Sequence, residues 1–295
     1  MPAPLTPDMM ATDIRHTARR PKIARPRLSI LTIGGHPKDA VIASGGTMAN
    51  HVEAGDRVVT LCPTHGLSHH ISAITDYKAD RKMPDLEALK AELAQELVDA
   101  AAELGVTDVR ILGHDDDVPV VERQIIEEIA DVIGEVLPDI IITHVPFDSV
   151  PGHAVATQMT LLAMEAASGF RRGKSYPPHK PSQVFFHAQA GRTNVLEANI
   201  SRVPTHIVDI TDTIHKKTAA MNRLKSQGYG PDTRMQRKLG EALDGHMGVS
   251  ARVPYAEGFI AHNPSVYQTL PTVIQAARDP SHMTNMLLDS YEPQG

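Results

Sequence analysis

His36-Pro37-Lys38-Asp39 sets an imidazole and a carboxylate three residues apart in a turn opened by Gly34-Gly35, and two further histidines, His144 and His153, follow a later apolar run. At that spacing the first two side chains can converge on one point. A third ligand from another strand end would give a facial set with open positions for water and substrate, which is the catalytic rather than the structural arrangement of zinc. An ion bound in this way lowers the pKa of its water to about 7 and polarises a carbonyl oxygen. On spacing alone, two such residues are more often a hydrogen-bonded loop. The sixteen histidines do not settle the matter, because several sit in polar stretches such as His65, His69 and His70.

The elements that would position these residues can be read from the apolar pattern. Leu28-Ser29-Ile30-Leu31-Thr32-Ile33 is rich in β-branched residues and ends in glycines, as a buried strand feeding a helix does. Strands are expected at 57–62, 108–112 and 139–143, alternating with helices at about 85–104, 122–136 and 153–168. This alternation predicts an α/β fold, a Rossmann-like parallel sheet flanked by helices on both faces. Beyond Gly173 a smaller C-terminal portion is expected to complete the pocket, with strands at 184–186 and 205–209 and helices at about 211–226 and 232–243. Ligands in such sheets collect at the carboxyl ends of the strands. His36 follows the first strand, and His144 and His153 follow the fourth.

Residues 1–27 carry five prolines and six Arg or Lys against two Asp, without apolar periodicity. They read as a flexible basic arm outside a catalytic domain at 28–265, with 266–295 as a tail. A net charge of −6, with basic residues scattered, argues against a nucleic-acid surface and for a small-molecule substrate. No stretch approaches the roughly 18 apolar residues of a membrane helix. One cysteine, Cys62, excludes an intramolecular disulfide, and no secretory apolar stretch is visible at the N-terminus, so a cytoplasmic location is expected. The arm would suit exchange between copies in a homo-oligomer.

Gly35-His36-Pro37-Lys38-Asp39 followed by Gly45-Gly46-Thr47 resembles the opening of the PIG-L/LmbE deacetylase superfamily, whose usual form is Ala-His-Pro-Asp-Asp before a Gly-Gly-Thr helix. Further matches follow in order: Pro138-Asp139 with Ile140 to His144, Pro151-Gly152-His153, Val208-Asp209-Ile210-Thr211, Ser226-Gln227, and Tyr255-Ala256-Glu257-Gly258-Phe259. The series spans about residues 28–265. The resemblance implies a zinc ion, or iron, manganese or cobalt, held by His36, Asp39 and His153. It also shows departures. The family's general-base aspartate is Lys38 here, and its His-Pro-Asp-His run is Val150-Pro151-Gly152-His153.

A lysine beside a dication either loses its proton more readily or turns its ammonium into solvent, so Lys38 is expected to act as a base, as a carboxylate clamp, or only as a surface residue. His187, at another strand end, is a candidate acid or base, since a branch resembling 4-oxalomesaconate hydratase carries a histidine nearby. Asp148 could orient a ligand histidine through its second ring nitrogen. His144, His65 and Asp116 are expected to line the pocket, the first as readily a hydrogen-bonded loop residue and the last within an Asp115–Asp117 run that otherwise reads as a solvated loop. A histidine-rich loop hints at an anionic substrate. Three functions follow: hydrolysis of an N-acyl bond, hydration of an unsaturated carboxylated acid, or a non-catalytic binding protein that keeps the fold.

Overall fold

Strand β1, Ser29–Ile33, lies at the centre of the sheet, and its alternation sends Ile30 to one face and Leu31 and Ile33 to the other, all fully buried. The computed structural model describes residues 25–188, 203–231, 238–266 and 268–269. Arg27–Ser265 form one compact unit, and almost all of the second unit, with the expected arm and tail, falls outside the described residues. β1 pairs in parallel with β2 (Arg57–Thr64) and with β4 (Ile140–Thr143). β3 (Asp108–His114) and β5 (Gln183–His187) extend the parallel sheet on the two sides. The strand order is β3-β2-β1-β4-β5-β7-β6. β1 and β4 are neighbours although not consecutive, so the chain reverses its winding between them and a crevice opens at their carboxyl ends.

Helices cover both faces. α1 (Asp39–Glu53) and α3 (Leu86–Glu103) share one apolar cluster with Ile30, Val58 and Ile142, while α4 (Arg123–Val136) and α5 (Pro151–Ala167) share the other with Leu31, Ile33 and Ile141. α3 starts where Asp85 accepts hydrogen bonds from the Glu87 and Ala88 N–H groups. Between β2 and α3 the expected loop contains a helix, α2 (Ile71–Asp80), which buries no residue. A helix without a buried stripe leaves no periodic signal.

The C-terminal portion differs most from expectation. Tyr255 to Phe259, read as a signature segment, lies largely in a strand, β7 (Ala256–Ala261), antiparallel to β5 and paired with β6 (His206–Asp209), so the sheet is mixed at this edge. The helix expected at 211–226 is limited to α6, Ile214–Met221. Of the helix expected at 232–243, residues 232–237 lie outside the described residues; a π-helical turn, Gly240–Gly245, then leads into α7, His246–Ala251.

Charge hid β7 from the apolar pattern, and the structure accounts for that charge. α1 breaks at Ser44 (φ −142°, ψ 18°), which strips the next N–H groups of their helical acceptors. Glu257, fully buried, accepts from Gly46 N at 3.0 Å and Thr47 N at 2.8 Å. Its carboxylate also takes the Lys217 ammonium at 2.8 Å, and that ammonium reaches Asp244 at 2.8 Å. A Cβ on Gly46 would stand 2.6 Å from the Ile210 Cβ, so only glycine lets α1 approach this closely. The network ties the middle of α1 to α6, β7 and the π-helical turn.

Candidate metal centre

The turn after β1 delivers His36 and Asp39 together. The His36 N–H donates to Asp39 Oδ2 at 2.7 Å, and His36 Nδ1 lies 3.1 Å from the same oxygen. Asp39 opens α1, where the helix dipole favours a carboxylate. From the other side of the crevice, Pro151 starts α5 and projects His153, whose Nε2 is 3.3 Å from Asp39 Oδ2. Ligand atoms of His36, Asp39 and His153 all lie within 4.8 Å of one another. The expected trio therefore meets, from two stretches of chain far apart in sequence.

Two nearby residues fix this geometry. Asp148 Oδ1 sits 3.3 Å from His153 Nδ1 and accepts the Val150 N–H at 2.9 Å through the same oxygen, which sets the ring so that Nε2 faces Asp39. His144 stacks on His153 with ring centroids 3.9 Å apart and accepts the Gly35 N–H on Nε2 at 3.2 Å. Burial opposes charge on His153, but Asp39 and Asp148 outweigh it and push its pKa up to about 9. Burial likewise opposes ionisation of Asp39, yet His153 and His36 hold its carboxyl well below the usual carboxylate range. Burial keeps His36 and His144 neutral more strongly than free imidazoles. Asp39 is thus held as an anion facing ring nitrogens of His36, His144 and His153.

A divalent ion fits the residues present. Donors bound at about 2.1 Å in a tetrahedron stand about 3.4 Å apart, and the two separations on Asp39 Oδ2, 3.1 and 3.3 Å, lie near that value. Two imidazoles with one carboxylate form the donor set of open, catalytic sites, and Asp148 behind His153 is the outer partner such histidines usually have.

The other expected residues take distinct places. Lys38 is 8% exposed, so the outward-pointing surface lysine is not what the chain builds; its charge is close enough to disfavour a proton on His36. His187 is 4% exposed, lies edge-on to His144 at 5.4 Å, and has neither ring nitrogen hydrogen-bonded among the described residues. Burial and the neighbouring His144 hold its pKa well below the ordinary value, so it is a neutral imidazole. Asp116 is buried while Asp115 is exposed, so the solvated-loop reading fails for Asp116 alone. His65 is buried with Nε2 2.6 Å from Asp115 and Nδ1 3.2 Å from Asp116, and it is His69 whose ring packs on His36, centroids 3.9 Å apart. The signal for that was Gly66: its φ of 74° turns the loop back, and a Cβ there would lie 2.5 Å from Pro37 Cδ. Burial pushes the Cys62 thiol far above its usual range, which removes it as a nucleophile.

The site lies at the switch point of a doubly wound sheet, and the chain is similar to proteins of known function. Residues 31–164 match the PIG-L family, GlcNAc-PI de-N-acetylase. A 4-oxalmesaconate hydratase of Pseudomonas putida is 24% identical over 273 residues, 86% of this chain and 97% of that protein. A 1D-myo-inositol 2-acetamido-2-deoxy-alpha-D-glucopyranoside deacetylase of Kineococcus radiotolerans is 27% identical over 177 residues, 50% of this chain and 47% of that protein. The crystal structure of GalB, the 4-carboxy-2-hydroxymuconate hydratase of Pseudomonas putida, superposes with a TM-score of 0.64 at 22% identity, covering 83% of this chain and all of that one, and shows that the two share this α/β fold. The family and these relatives are enzymes, deacetylases and a hydratase, and the chain is an enzyme. Among the described residues no helix is long and apolar enough to cross a membrane.

Proposed function

We propose that the chain is a metal-dependent hydrolase that cleaves the N-acyl bond of a small polar substrate, with His36, Asp39 and His153 as metal ligands. The observation that carries this reading is the convergence of those three side chains with Asp148 behind His153. A zinc ion, or another divalent metal, would supply an acidified water and a polarised carbonyl. The chain's own groups do the rest. Asp148 and His144 hold His153 in place, and Lys38 sets a positive charge beside His36 where relatives carry an acidic base. His187, neutral and with both nitrogens unengaged among the described residues, would hold the substrate through a ring nitrogen, since its depressed pKa makes it a weak proton acceptor.

A second reading, hydration of an unsaturated carboxylated acid, is favoured by two observations. Lys38 and Val150 replace the aspartate and histidine that amide cleavage uses in the family, and the hydratase relative is matched along 97% of its length. Hydration has no amine leaving group to protonate, so it tolerates a different acid and base set. The zinc-loaded chain, offered N-acetylated amino sugars, should release acetate, and D39N should release none. If acetate does not appear and the ultraviolet absorbance of a carboxylated dienoate falls instead, the hydrolase reading is wrong and hydration replaces it. Neither acetate release nor loss of dienoate absorbance, with no zinc bound, would leave a binding protein. The proposed setting is cytoplasmic, with a small, anionic substrate.

A further inference from the structure

We propose that His69 is a specificity-determining residue of the crevice, whose Nε2 accepts a hydrogen bond from a donor on the substrate, a hydroxyl or an amide N–H, rather than holding a carboxylate. Three histidines lie in the loop after β2, and two of them spend both ring nitrogens inside the protein. His65 Nδ1 accepts the Leu67 N–H at 3.4 Å, so its proton is on Nε2, 2.6 Å from Asp115 Oδ1. His70 Nδ1 accepts the Ala73 N–H at 3.2 Å, and its Nε2 lies 3.0 Å from Glu92 Oε2. His69 differs. Its Nδ1 stands 2.7 Å from Ser68 Oγ, while its Nε2 meets no partner among the described residues.

The hydrogen-bond chain behind His69 decides what that free nitrogen is. The Ser68 hydroxyl has one proton, and it donates that proton to Asp116 Oδ2, a carboxylate oxygen that can only accept and that takes the Ser68 N–H at 3.3 Å as well. Ser68 Oγ is left to accept from His69, so Nδ1 carries the ring proton and Nε2 of the neutral imidazole carries a lone pair. Buried Asp116 thus fixes the tautomer of His69 through Ser68. The His69 ring packs on that of His36 with centroids 3.9 Å apart, and its side chain is 29% exposed, so a molecule entering the crevice beside the proposed metal ligand can reach it. A lone pair repels a carboxylate oxygen and attracts an O–H or N–H. The histidine-rich loop, which in the sequence hints at an anionic substrate, therefore presents an acceptor, and a negative charge on the substrate is met elsewhere. The inference rests on the reading that the crevice beside His36 holds the substrate, and at this point it selects a hydroxylated or amide-bearing molecule.

Nitrogen NMR of the full-length, zinc-loaded chain, labelled on its histidine rings, reads the tautomer directly, with the His69 signals assigned by their loss in H69Q. The expected spectrum has Nδ1 protonated and Nε2 bare. Glucosamine, rich in donors, should move the Nε2 signal, and succinate, which has none, should not. S68A removes the partner that holds the ring proton on Nδ1, so both tautomers should appear and glucosamine should bind about 2–10-fold more weakly, the share of one neutral hydrogen bond. Zinc affinity of S68A, measured against a competing chelator, should match the wild type, and its melting curve shows that it is folded. A proton on Nε2 in the wild type, an Nε2 signal that follows succinate or ignores glucosamine, or an S68A spectrum unchanged in tautomer would overturn the proposal. Acetate release from N-acetylglucosamine is followed on the same sample. If none appears while the His69 signals behave as expected, the hydrolase reading fails and the assignment of His69 stands.

Discussion

Asp148 never touches the proposed ion, yet it sets which nitrogen of His153 does. D148N replaces an acceptor with a group that can turn its amide toward His153 Nδ1, so zinc affinity should fall about 10–100-fold with little change in fold. Zinc titration against a competing chelator measures this. Lys38 decides between the two reactions. Restoring the family's acidic residue with K38D should raise acetate release from N-acetylated sugars by about 10²-fold or more if the chain is a hydrolase held back by a missing base. If K38D only lowers dienoate hydration, the lysine serves that chemistry. His36, Asp39 and His153 were named together through the family resemblance; their spacing alone did not supply the set. His69 escaped because its approach to His36 depends on the left-handed turn at Gly66, and a turn's direction is not written in hydrophobic periodicity.

At the scale of elements, the crevice depends on α1, which is tied down at its middle, just past the break at Ser44. Glu257, Lys217 and Asp244 are all buried, with two carboxylates sharing one ammonium. Burial disfavours the ion on Lys217, but Asp244 and Glu257 more than compensate and raise its pKa, so it stays charged. K217M leaves two buried carboxylates facing each other without a cation and should cost about 3–5 kcal/mol, read by urea unfolding. G46A should cost about 1–3 kcal/mol by forcing Ile210 aside. Five parallel strands and four of their helices were legible as alternating apolar runs. α2 and β7 were not: the first buries nothing, and the second carries a glutamate whose presence in a core makes sense only once Lys217 and the broken α1 are seen around it.

For the molecule as a whole, two histidines of the centre should pull the pH dependence of stability in opposite directions, and metal should add to stability. In chelator-treated protein, His187 stays neutral because burial and His144 depress its pKa, whereas an unfolded histidine takes up a proton near about pH 6.5. Below that pH the unfolded state binds more protons, so this contribution to stability is full above about pH 6.5 and is lost as pH falls. His153 acts the other way: raised to about 9, it contributes below about pH 6.5 and loses that contribution as pH rises through its folded value. Melting curves of the metal-free chain should therefore show a stability maximum near about pH 6.5, with a flatter acid limb in H187F. Zinc at about 100 times its dissociation constant should add about 2.7 kcal/mol, a rise in Tm absent from D39N.

The sequence alone determined the α/β plan, because strand and helix periods are local properties, and it brought His36 and Asp39 together through the turn between them; His153 was joined to them by the family resemblance. Tertiary structure decided the rest: which loop histidine faces the ring of His36, why Asp116 is buried beside an exposed Asp115, and how a strand can carry Glu257 into the core. Each of those depends on what lies across the fold, where a charge is stabilised or left bare by neighbours that the chain order does not name.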